Sequence, residues 1–449
     1  MVSLAEKMAA NMDVSAFSKA TELKKRLWFT VLALIVFRLG TFIPLPGIDP
    51  HILSDIFARN ANGILGMFNM FAGGALERMT IFALNIMPYI SASIILQLGQ
   101  SVVPSLAALK KDGEAGHRKI THYTKMLTVL ITIIQGYGIA VGLEGMTGSA
   151  GVSAVVNPGF VFKFTTIVSL VGGTMFIVWL GDQITSRGVG NGSSLIITVG
   201  IIANIPSALA KTFELGRVGS MSMGVMLLLL AMVLGLIYVI VLVERAQRKI
   251  TIQYPKRQAM GMGASESSHL PLKINPTGVI PPIFASSLLL LPITVANLSA
   301  QDGPSWVQTL SQLLGHGQPL YLGLYAALIL FFAFFYTAVV FNPEETADNL
   351  KKHGGFIAGI RPGKNTAEYL DYVVTRLTVV GSIYLVALCI LPEILISKLA
   401  VPFVLGGTTL LIVVQVTMDF VGQLQSHLIA YQYESLIKKA SLAGHRKRR

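Results

Sequence analysis

Long apolar runs, separated by short polar segments, dominate the chain. A run of roughly 20 apolar residues can cross about 30 Å of hydrocarbon as one helix. Runs of this kind cover residues 27–45, 80–99, 122–142, 160–180, 189–209, 221–243, 276–295, 319–341, 373–392 and 401–421. The pattern therefore predicts an all-α, polytopic membrane protein with ten transmembrane helices.

The polar segments alternate between basic and nearly uncharged. The basic ones are 1–26, the link around 110–119, the loops 244–275 and 342–372, and the tail 422–449. Cytoplasmic segments of membrane proteins hold the excess of Lys and Arg. Because every second segment is basic, we expect both termini to lie in the cytoplasm.

Ten helices divide into two sets of five, in 27–209 and 210–421. Because five is odd, the two sets would cross the membrane in opposite directions. Inverted halves of this kind surround a central pathway in several membrane proteins. No repeat of individual residues supports the division, so the two pseudo-symmetric halves are predicted from counting alone.

Composition narrows the class of protein further. Hydrophobic residues make up 53% of the chain and charged residues 13%, with a net charge of +13. Soluble domains carry about 25% charged residues, so a soluble enzyme is disfavoured and a disordered chain is excluded. The single cysteine, Cys389, excludes an intramolecular disulfide framework and is expected to be a buried bystander.

Sequence patterns for common chemistries are absent. The chain has no GxxxxGK[ST], HExxH or GxSxG pattern, no CxxC and no His/Cys cluster with metal-ligand spacing. We therefore predict no enzymatic activity, no metal and no cofactor.

Acidic residues are nearly absent from the middle of the predicted spans. Asp182, Glu244 and Asp419 fall near span ends on the cytoplasmic side. Ion-coupled transporters place ionisable groups at the membrane midplane. A secondary transporter is therefore disfavoured and a passive conduit favoured, while a non-conducting scaffold is a further alternative.

An apolar segment at 63–79 is too short to cross the membrane, and Gly73 and Gly74 would break a helix within it. It predicts either a short helix at membrane depth on the outer side or an interfacial helix lying flat on the membrane. At membrane depth, irregular backbone must be buried in protein or line a cavity.

Prolines interrupt two predicted spans. Pro88 lies in the second, and Pro276, Pro281, Pro282 and Pro292 lie in the seventh. Proline inside a helix removes a backbone donor and kinks the helix, which predicts that these two helices move. The alternative is that proline is simply commoner in membrane helices.

The loop 342–372 contains signals for ordered structure. Asn342 before Pro343 predicts an N-cap and a short helix outside the membrane. Gly354 and the residue after it should end that helix, and Asn365 with Glu368 predicts a capping box for the next one. The result would be a basic projection suited to docking a partner, unless its Lys and Arg only set the topology.

Five long motifs carry a family resemblance. They are FNMFAGGAL at 68–76 with IMPYISASI at 86–94, GDQITSRGVGNG at 181–192, LPLKINPTGVIPPIFASS at 270–287, FNPEETADNLKKHGGF at 341–356 and GGTTLLIVV at 406–414. On these motifs the chain resembles the SecY family of protein-conducting channels over essentially its whole length. The resemblance implies a channel that passes unfolded, signal-bearing polypeptides across the bacterial cytoplasmic (inner) membrane and releases membrane segments sideways into the bilayer.

The resemblance also implies roles for individual residues along the pathway. A plug helix at about 64–74 would block the closed channel from outside, with matching residues Ile64, Phe68, Phe71, Gly73 and Gly74. A pore ring would comprise Ile86, Ile90, Ser193, Ile197, Ile283 and Ile412. Apolar side chains in a ring exclude water by dewetting and can deform around a passing chain. Ser193 departs from the apolar residue that many relatives have, and each isoleucine taken alone would be assigned to lipid contact or helix packing.

Two further sets are implied. Gln97 and Asn275 match polar positions of a lateral gate, where a hydrogen bond between the gate helices would be worth about 1 kcal/mol. Docking of SecA and the ribosome is implied for Lys256, Arg257, Lys351, Lys352 and Arg361. The tip 260–263, MGMG, lacks basic residues found in some relatives. The partners implied are SecE and SecG, the SecA ATPase, the ribosome, signal peptides and nascent chains, SecDF, the YidC insertase and membrane lipids.

Overall fold

The structure is a computed structural model of the 449-residue chain. It describes residues 21–49, 52–53, 74–145, 153–217, 222–253, 268–299, 318–399 and 406–446. All statements below concern these residues.

Helices make up nearly all of the regular structure. They are α1 (Thr21–Gly40), α2 (Met87–Val102), α3 (Pro104–Lys111), α4 (Gly113–Gly145), α5 (Phe160–Arg187), α6 (Gly192–Arg217), α7 (Met223–Arg245), α8 (Ile280–Ser299), α9 (Pro319–Val340), α10 (Pro343–Lys352), α11 (Lys364–Leu399) and α12 (Gly407–Arg446). Three short strands are β1 (Gln247–Gln253), β2 (Ser268–Lys273) and β3 (Phe356–Ile357).

Each predicted span overlaps a helix, and the polytopic helical architecture is confirmed. Seven helical stretches of the described residues are long and apolar enough to cross a membrane, in α4, α5, α6, α7, α9, α11 and α12. The apolar helix at Ile280–Leu289 in α8 is shorter. The total of ten crossings stays a prediction.

The second span begins later than predicted. Residues 74–86 form turns rather than helix, and α2 starts only at Met87. The Leu45 amide donates to the Met79 carbonyl at 2.9 Å, and the Ile81 amide to the Ile43 carbonyl at 3.1 Å. These bonds to the end of the first span replace helical ones, so the backbone of 74–86 stays satisfied without forming a helix.

The prediction that these prolines kink helices is wrong at most of the positions. Pro88 lies in the first turn of α2, Pro276 precedes α8, and Pro281 and Pro282 lie in the first turn of α8. Only Pro292 lies in a helix interior among these residues. In the first turn the missing amide hydrogen has no intrahelical acceptor to lose, so proline starts a helix there instead of kinking it.

A three-stranded antiparallel sheet, which the all-α prediction did not include, joins the two long polar loops, 244–275 and 342–372. The strand order is β2-β1-β3; Gln247 pairs with Lys273, and Ile252 pairs with both Ser268 and Ile357. Pro271 is accommodated because β2 is an edge strand. Ile250 and Ile252 are buried, and Leu270, which pairs with Ile250, packs against the same cluster.

The predicted cap of α10 is confirmed. The Asn342 Oδ1 accepts from the backbone amides of Glu344 and Glu345 at 3.2 and 3.3 Å. The helix ends at Lys352, and the following Gly354 has φ +70°. The next helix starts at Lys364, so Asn365 lies inside its first turn and the predicted capping box is wrong by position.

Two large apolar cores hold the membrane part together. The first is built mainly on the first half and includes Phe37, Leu170 and Ile177, but also Ile412 of α12. The second is built on α7 to α12 and includes Leu98 of α2 at its edge. The halves thus meet through α2 with α8 and α6 with α12. Cys389 is 3% exposed in the second core, which confirms its predicted burial.

Candidate pore and cytoplasmic docking body

A cavity of about 430 Å³ opens between the two halves. Its walls come from the start of α6, residues 273–283, the end of α9 and the middle of α12. Its lining includes polar and charged residues, among them Asn191, Lys273 and Asp419, and three of the predicted ring residues, Ile197, Ile283 and Ile412.

The five predicted ring isoleucines meet in one apolar cluster. Ile86, Ile197 and Ile412 are 0%, 8% and 2% exposed, and Ile90 and Ile283 pack against the same cluster. They come from the start of α2, from α6, from α8 and from α12. The Ile90 amide donates to the Ile86 carbonyl at 3.1 Å, which sets both side chains on one side of the first turn of α2. Four separate elements therefore contribute the predicted ring residues to one apolar cluster.

Ser193 does not line this cavity. A Cβ added to Gly181 of α5 would lie 3.4 Å from the Ser193 Oγ, so the hydroxyl lies against α5. The serine that lines the cavity is its neighbour Ser194. The structure thus brings five of the six predicted ring residues into one apolar cluster, with Ile197, Ile283 and Ile412 lining the cavity, and turns the sixth toward α5.

The glycine-rich motif at 181–192 lies at the cavity, where Gly190 and Asn191 are lining residues. A Cβ on Gly192 would collide with the Gly181 carbonyl, so the start of α6 approaches α5 this closely because residue 192 has no side chain. The Gly190 amide donates to Gln423 Oε1 of α12 at 3.0 Å, and the Val189 amide donates to Thr30 Oγ1 at 3.0 Å. The motif therefore connects α1, α5, α6 and α12, a role that its sequence did not reveal.

The two predicted gate amides have separate partners. Gln97 Nε2 donates to Ser93 Oγ at 3.3 Å within α2. Asn275 Nδ2 donates to Glu244 Oε1 at 2.7 Å and to the Gly278 carbonyl at 3.1 Å. Contact between α2 and α8 is instead apolar and involves Leu98 and the ring isoleucines. Glu244, which the sequence placed only near a span end, is therefore a missed residue of this site.

The predicted plug lies almost entirely outside the described residues, since Ile64, Phe68, Phe71 and Gly73 are not among them. Gly74 is described and has φ +80°; a Cβ there would lie 3.4 Å from Asn204 Oδ1. Asn204 is seven residues beyond Ile197 in α6 and shares its face. The end of the segment thus reaches the ring-bearing face of α6.

The three-stranded sheet, α10 and the first turns of α11 form one small body, hereafter called the docking body after the role that the sequence predicts for its basic residues. Its core contains Ile250, Leu272, Ile357, Leu370 and Val374. Basic side chains exposed on it are Arg248, Lys249, Lys273, Lys351, Lys352, Arg361 and Lys364. Lys256 and Arg257 lie outside the described residues.

Arg361 lies in the turn between β3 and α11, and this turn is braced from inside. Thr366 Oγ1 donates to the Arg361 carbonyl at 3.0 Å, and Thr366 itself is 3% exposed. This hydrogen bond holds the backbone of the turn, and the Arg361 side chain is exposed to solvent.

Comparison with known proteins was made against families and curated relatives. A family model described as SecY matches residues 80–421. The protein translocase subunit SecY of Escherichia coli (strain K12) is 54% identical over 426 residues, 94% of this chain and 96% of that protein. The protein of the same name from Vibrio cholerae is 52% identical over 436 residues, 96% of this chain and 97% of that protein.

Solved structures share the fold at low identity. A protein-conducting channel superimposes with a TM-score of 0.66 at 16% identity, over 91% of this chain and 93% of its own. Sec61 from the canine ribosome–channel complex of the endoplasmic reticulum gives 0.63 at 15% identity, again over 91% and 93%. The idle yeast Ssh1 complex bound to the yeast 80S ribosome gives 0.55 at 17% identity, over 89% and 88%.

Proposed function

The chain belongs to the SecY family and is a protein-conducting channel subunit of the translocon, and we propose that unfolded, signal-bearing polypeptides pass through its isoleucine ring. The observation that carries this proposal is that Ile86, Ile90, Ile197, Ile283 and Ile412 meet in one apolar cluster, and that the last three also line the cavity. Branched apolar side chains without polar partners leave water and ions nothing to bind, so the constriction dewets. The same side chains pack without directional bonds, so they can separate around a peptide and close again.

Membrane segments leave sideways between α2 and α8 in this proposal. The contact between these helices is supported by Leu98, Ile90 and Ile283, all of them apolar. An apolar signal helix can replace such contacts with equivalent ones of its own, because packing between membrane helices has little net hydrophobic gain over lipid. The hydrogen bonds of Gln97 and Asn275 do not join α2 to α8, so the contact that these two helices must give up is the apolar one.

The driving partners bind the docking body. Exposed Lys351, Lys352 and Arg361 suit acidic surfaces of the SecA ATPase and the phosphates of ribosomal RNA. Solved relatives of this fold have been imaged bound to ribosomes. SecE and SecG complete the complex, and SecDF, the YidC insertase and lipids are its neighbours in the membrane.

Residues 64–74 serve as the plug, as the approach of Gly74 to Asn204 supports.

The chain is a multi-pass membrane protein. We propose that it resides in the bacterial inner membrane with both termini in the cytoplasm. The basic docking body supports this orientation, because it puts Lys and Arg on the side that the positive-inside rule assigns to the cytoplasm.

Protease protection in vesicles tests the proposal. The chain is reconstituted with SecE and SecG, and SecA, ATP and a signal-bearing precursor are added. Precursor that becomes protected only with ATP and only with its signal supports the conduit. Absence of protection, with SecA bound to an intact complex, would contradict it and leave the scaffold alternative in place.

A further inference from the structure

A carboxylate is buried where its charge is doubly unfavourable. Glu244 is 4% exposed and lies in the last turn of α7. Burial strips water from the carboxylate, and the C-terminal end of a helix carries the negative end of its dipole. A carboxylate that stays ionised here needs hydrogen-bond donors, and two other segments of the chain provide them.

Two amide side chains donate to this carboxylate. Asn275 Nδ2 donates to Oε1 at 2.7 Å. The Gln415 amide also faces the carboxylate; with its nitrogen assigned to that side, as the two acceptor oxygens require, it donates to Oε2 at 2.7 Å and to Oε1 at 3.2 Å. Asn275 lies between β2 and α8, and Gln415 lies in α12. Hydrogen bonds to an ionised acceptor are stronger than neutral ones. One carboxylate thus connects α7, the segment entering α8, and α12.

The segment entering α8 is a tight turn built on Asn275. Thr277 Oγ1 donates to Asn275 Oδ1 at 3.0 Å, and Asn275 Nδ2 also donates to the Gly278 carbonyl at 3.1 Å. Gly278 has φ +60°, and a Cβ there would lie 3.3 Å from the Gln415 amide. The turn therefore packs closely against Gln415 of α12, next to the carboxylate of Glu244.

This network lies between the docking body and the ring. The β1–β2 ladder pairs Gln247 with Lys273, and the Ile274 amide donates to the Ala246 carbonyl at 3.2 Å, so the ladder ends one residue before Asn275. On the other side, Ile412 precedes Gln415 by three residues in α12 and shares its face. A displacement at the base of the hairpin reaches both α8 and the ring helix through the same carboxylate.

We propose that Glu244 is a positioning residue for gating, whose hydrogen bonds to Asn275 and Gln415 hold α8 and α12 together and oppose opening of the ring. The inference rests on the proposed function, since it assumes that polypeptide passes the ring. Force or binding at the hairpin weakens these bonds, and the ring then opens without direct contact between partner and isoleucines.

Single-channel recording of the reconstituted complex tests the proposal, with resting open probability as the readout. Glu244→Ala removes the bonds from both Asn275 and Gln415 and should raise the open probability at least tenfold, the effect of losing one hydrogen bond to a charged group. Asn275→Ala should change it in the same direction, and the double variant should raise it by less than the product of the two single effects, because both single variants lose the bond between Asn275 and Glu244. Glu214→Ala, an exposed glutamate of α6, is the matched control and should match wild type.

A charge swap separates positioning from general damage. Glu244→Gln with Gln415→Glu keeps one carboxylate and one amide in the same place, and the amide at position 244 can still accept from Asn275. We expect this double variant to return the open probability to within about twofold of wild type. A merely structural defect would not be rescued, so failure of rescue in a complex that assembles normally overturns the proposal.

Two further results overturn it: an open probability for Glu244→Ala equal to that of the control, or additive effects of Glu244→Ala and Asn275→Ala. If Glu244→Ala does not assemble, Glu244→Gln takes its place and must give a smaller rise in the same direction. The same vesicles are assayed for precursor protection with the wild-type chain. Lack of protection there would mean failure of the proposed function, whereas normal protection with unchanged gating means failure of this inference alone.

Discussion

The isoleucine ring and the Glu244 network are held together by different kinds of interaction. The isoleucine ring closes by packing, which has no preferred direction and loses strength gradually as side chains separate. The Glu244 network closes by hydrogen bonds with fixed donors and acceptors, which are either made or broken. A channel that must seal around variable chains needs closure by apolar packing. A channel that must open on a signal needs closure by hydrogen bonds, and the proposed channel combines the two.

Breaking the ring should give the largest effect. Ile86→Ser places a hydroxyl at a position that is 0% exposed and gives water a partner inside the constriction. We expect resting ion conductance to rise by about 100-fold, because dewetting depends steeply on pore polarity. The measurement is conductance per channel in planar bilayers. Ile383→Ser, on the 60% exposed face of α11, is the control, and an equal rise there would remove the ring from the account.

Reversing the charge at the docking turn should give the next largest effect. Arg361→Glu leaves the turn intact, because its brace is made by the backbone carbonyl. We expect SecA-driven export into vesicles to fall about tenfold through lost charge complementarity, with resting conductance unchanged. Lys364→Glu, an exposed basic residue of the same turn, serves as control. Equal losses for both variants would indicate general electrostatic attraction rather than a specific contact by Arg361.

A cavity in the core of the docking body should lower the stability of that body and leave the stability of the membrane helices unchanged. Ile250→Ala removes a side chain that is 5% exposed and packs on α11. We expect the body to lose about 2–4 kcal/mol of stability, seen as faster limited proteolysis within 244–275 and 342–372. The membrane helices should keep their protection. Cleavage that spread equally into the membrane part would show that the body does not unfold by itself.

Removing the helix cap should give the smallest effect. Asn342→Ala leaves the amides of Glu344 and Glu345 without the side-chain acceptor and should cost about 1 kcal/mol. Hydrogen exchange at the first turn of α10 measures this cost. Asn342→Ser keeps an acceptor and should exchange almost as slowly as wild type. Identical rates in all three proteins would mean that packing alone positions this helix.

The periodicity of the sequence predicted the elements well where burial and pattern agree. Each apolar run overlaps a helix, and the cap at Asn342 follows from local chemistry alone. The strand Gln247–Gln253 was missed although it alternates, with Ile250 and Ile252 inward. The alternation is short, and its partner strand contains Pro271, which argues against a strand unless the strand lies at an edge.

The site was predictable from the family motifs in part only. Ring positions followed from matched isoleucines, but the orientation of Ser193 toward Gly181 depends on helix rotation, which a motif does not give. The two amides that donate to Glu244 lie 31 and 171 positions away in the chain, at Asn275 and Gln415. No local pattern relates such residues, because tertiary packing alone brings α7, α8 and α12 together.

The central claim is that polypeptide passes through the isoleucine ring, and cysteine cross-linking to an arrested chain tests it most directly. Single cysteines replace Ile86, Ile412 or the exposed Ile383 in a Cys389→Ser background, and a precursor with one cysteine is halted during ATP-driven transport. We predict disulfides to the arrested chain at positions 86 and 412 and none at 383. Protected precursor that forms no disulfide at either ring position, or forms one equally well at 383, would contradict the account.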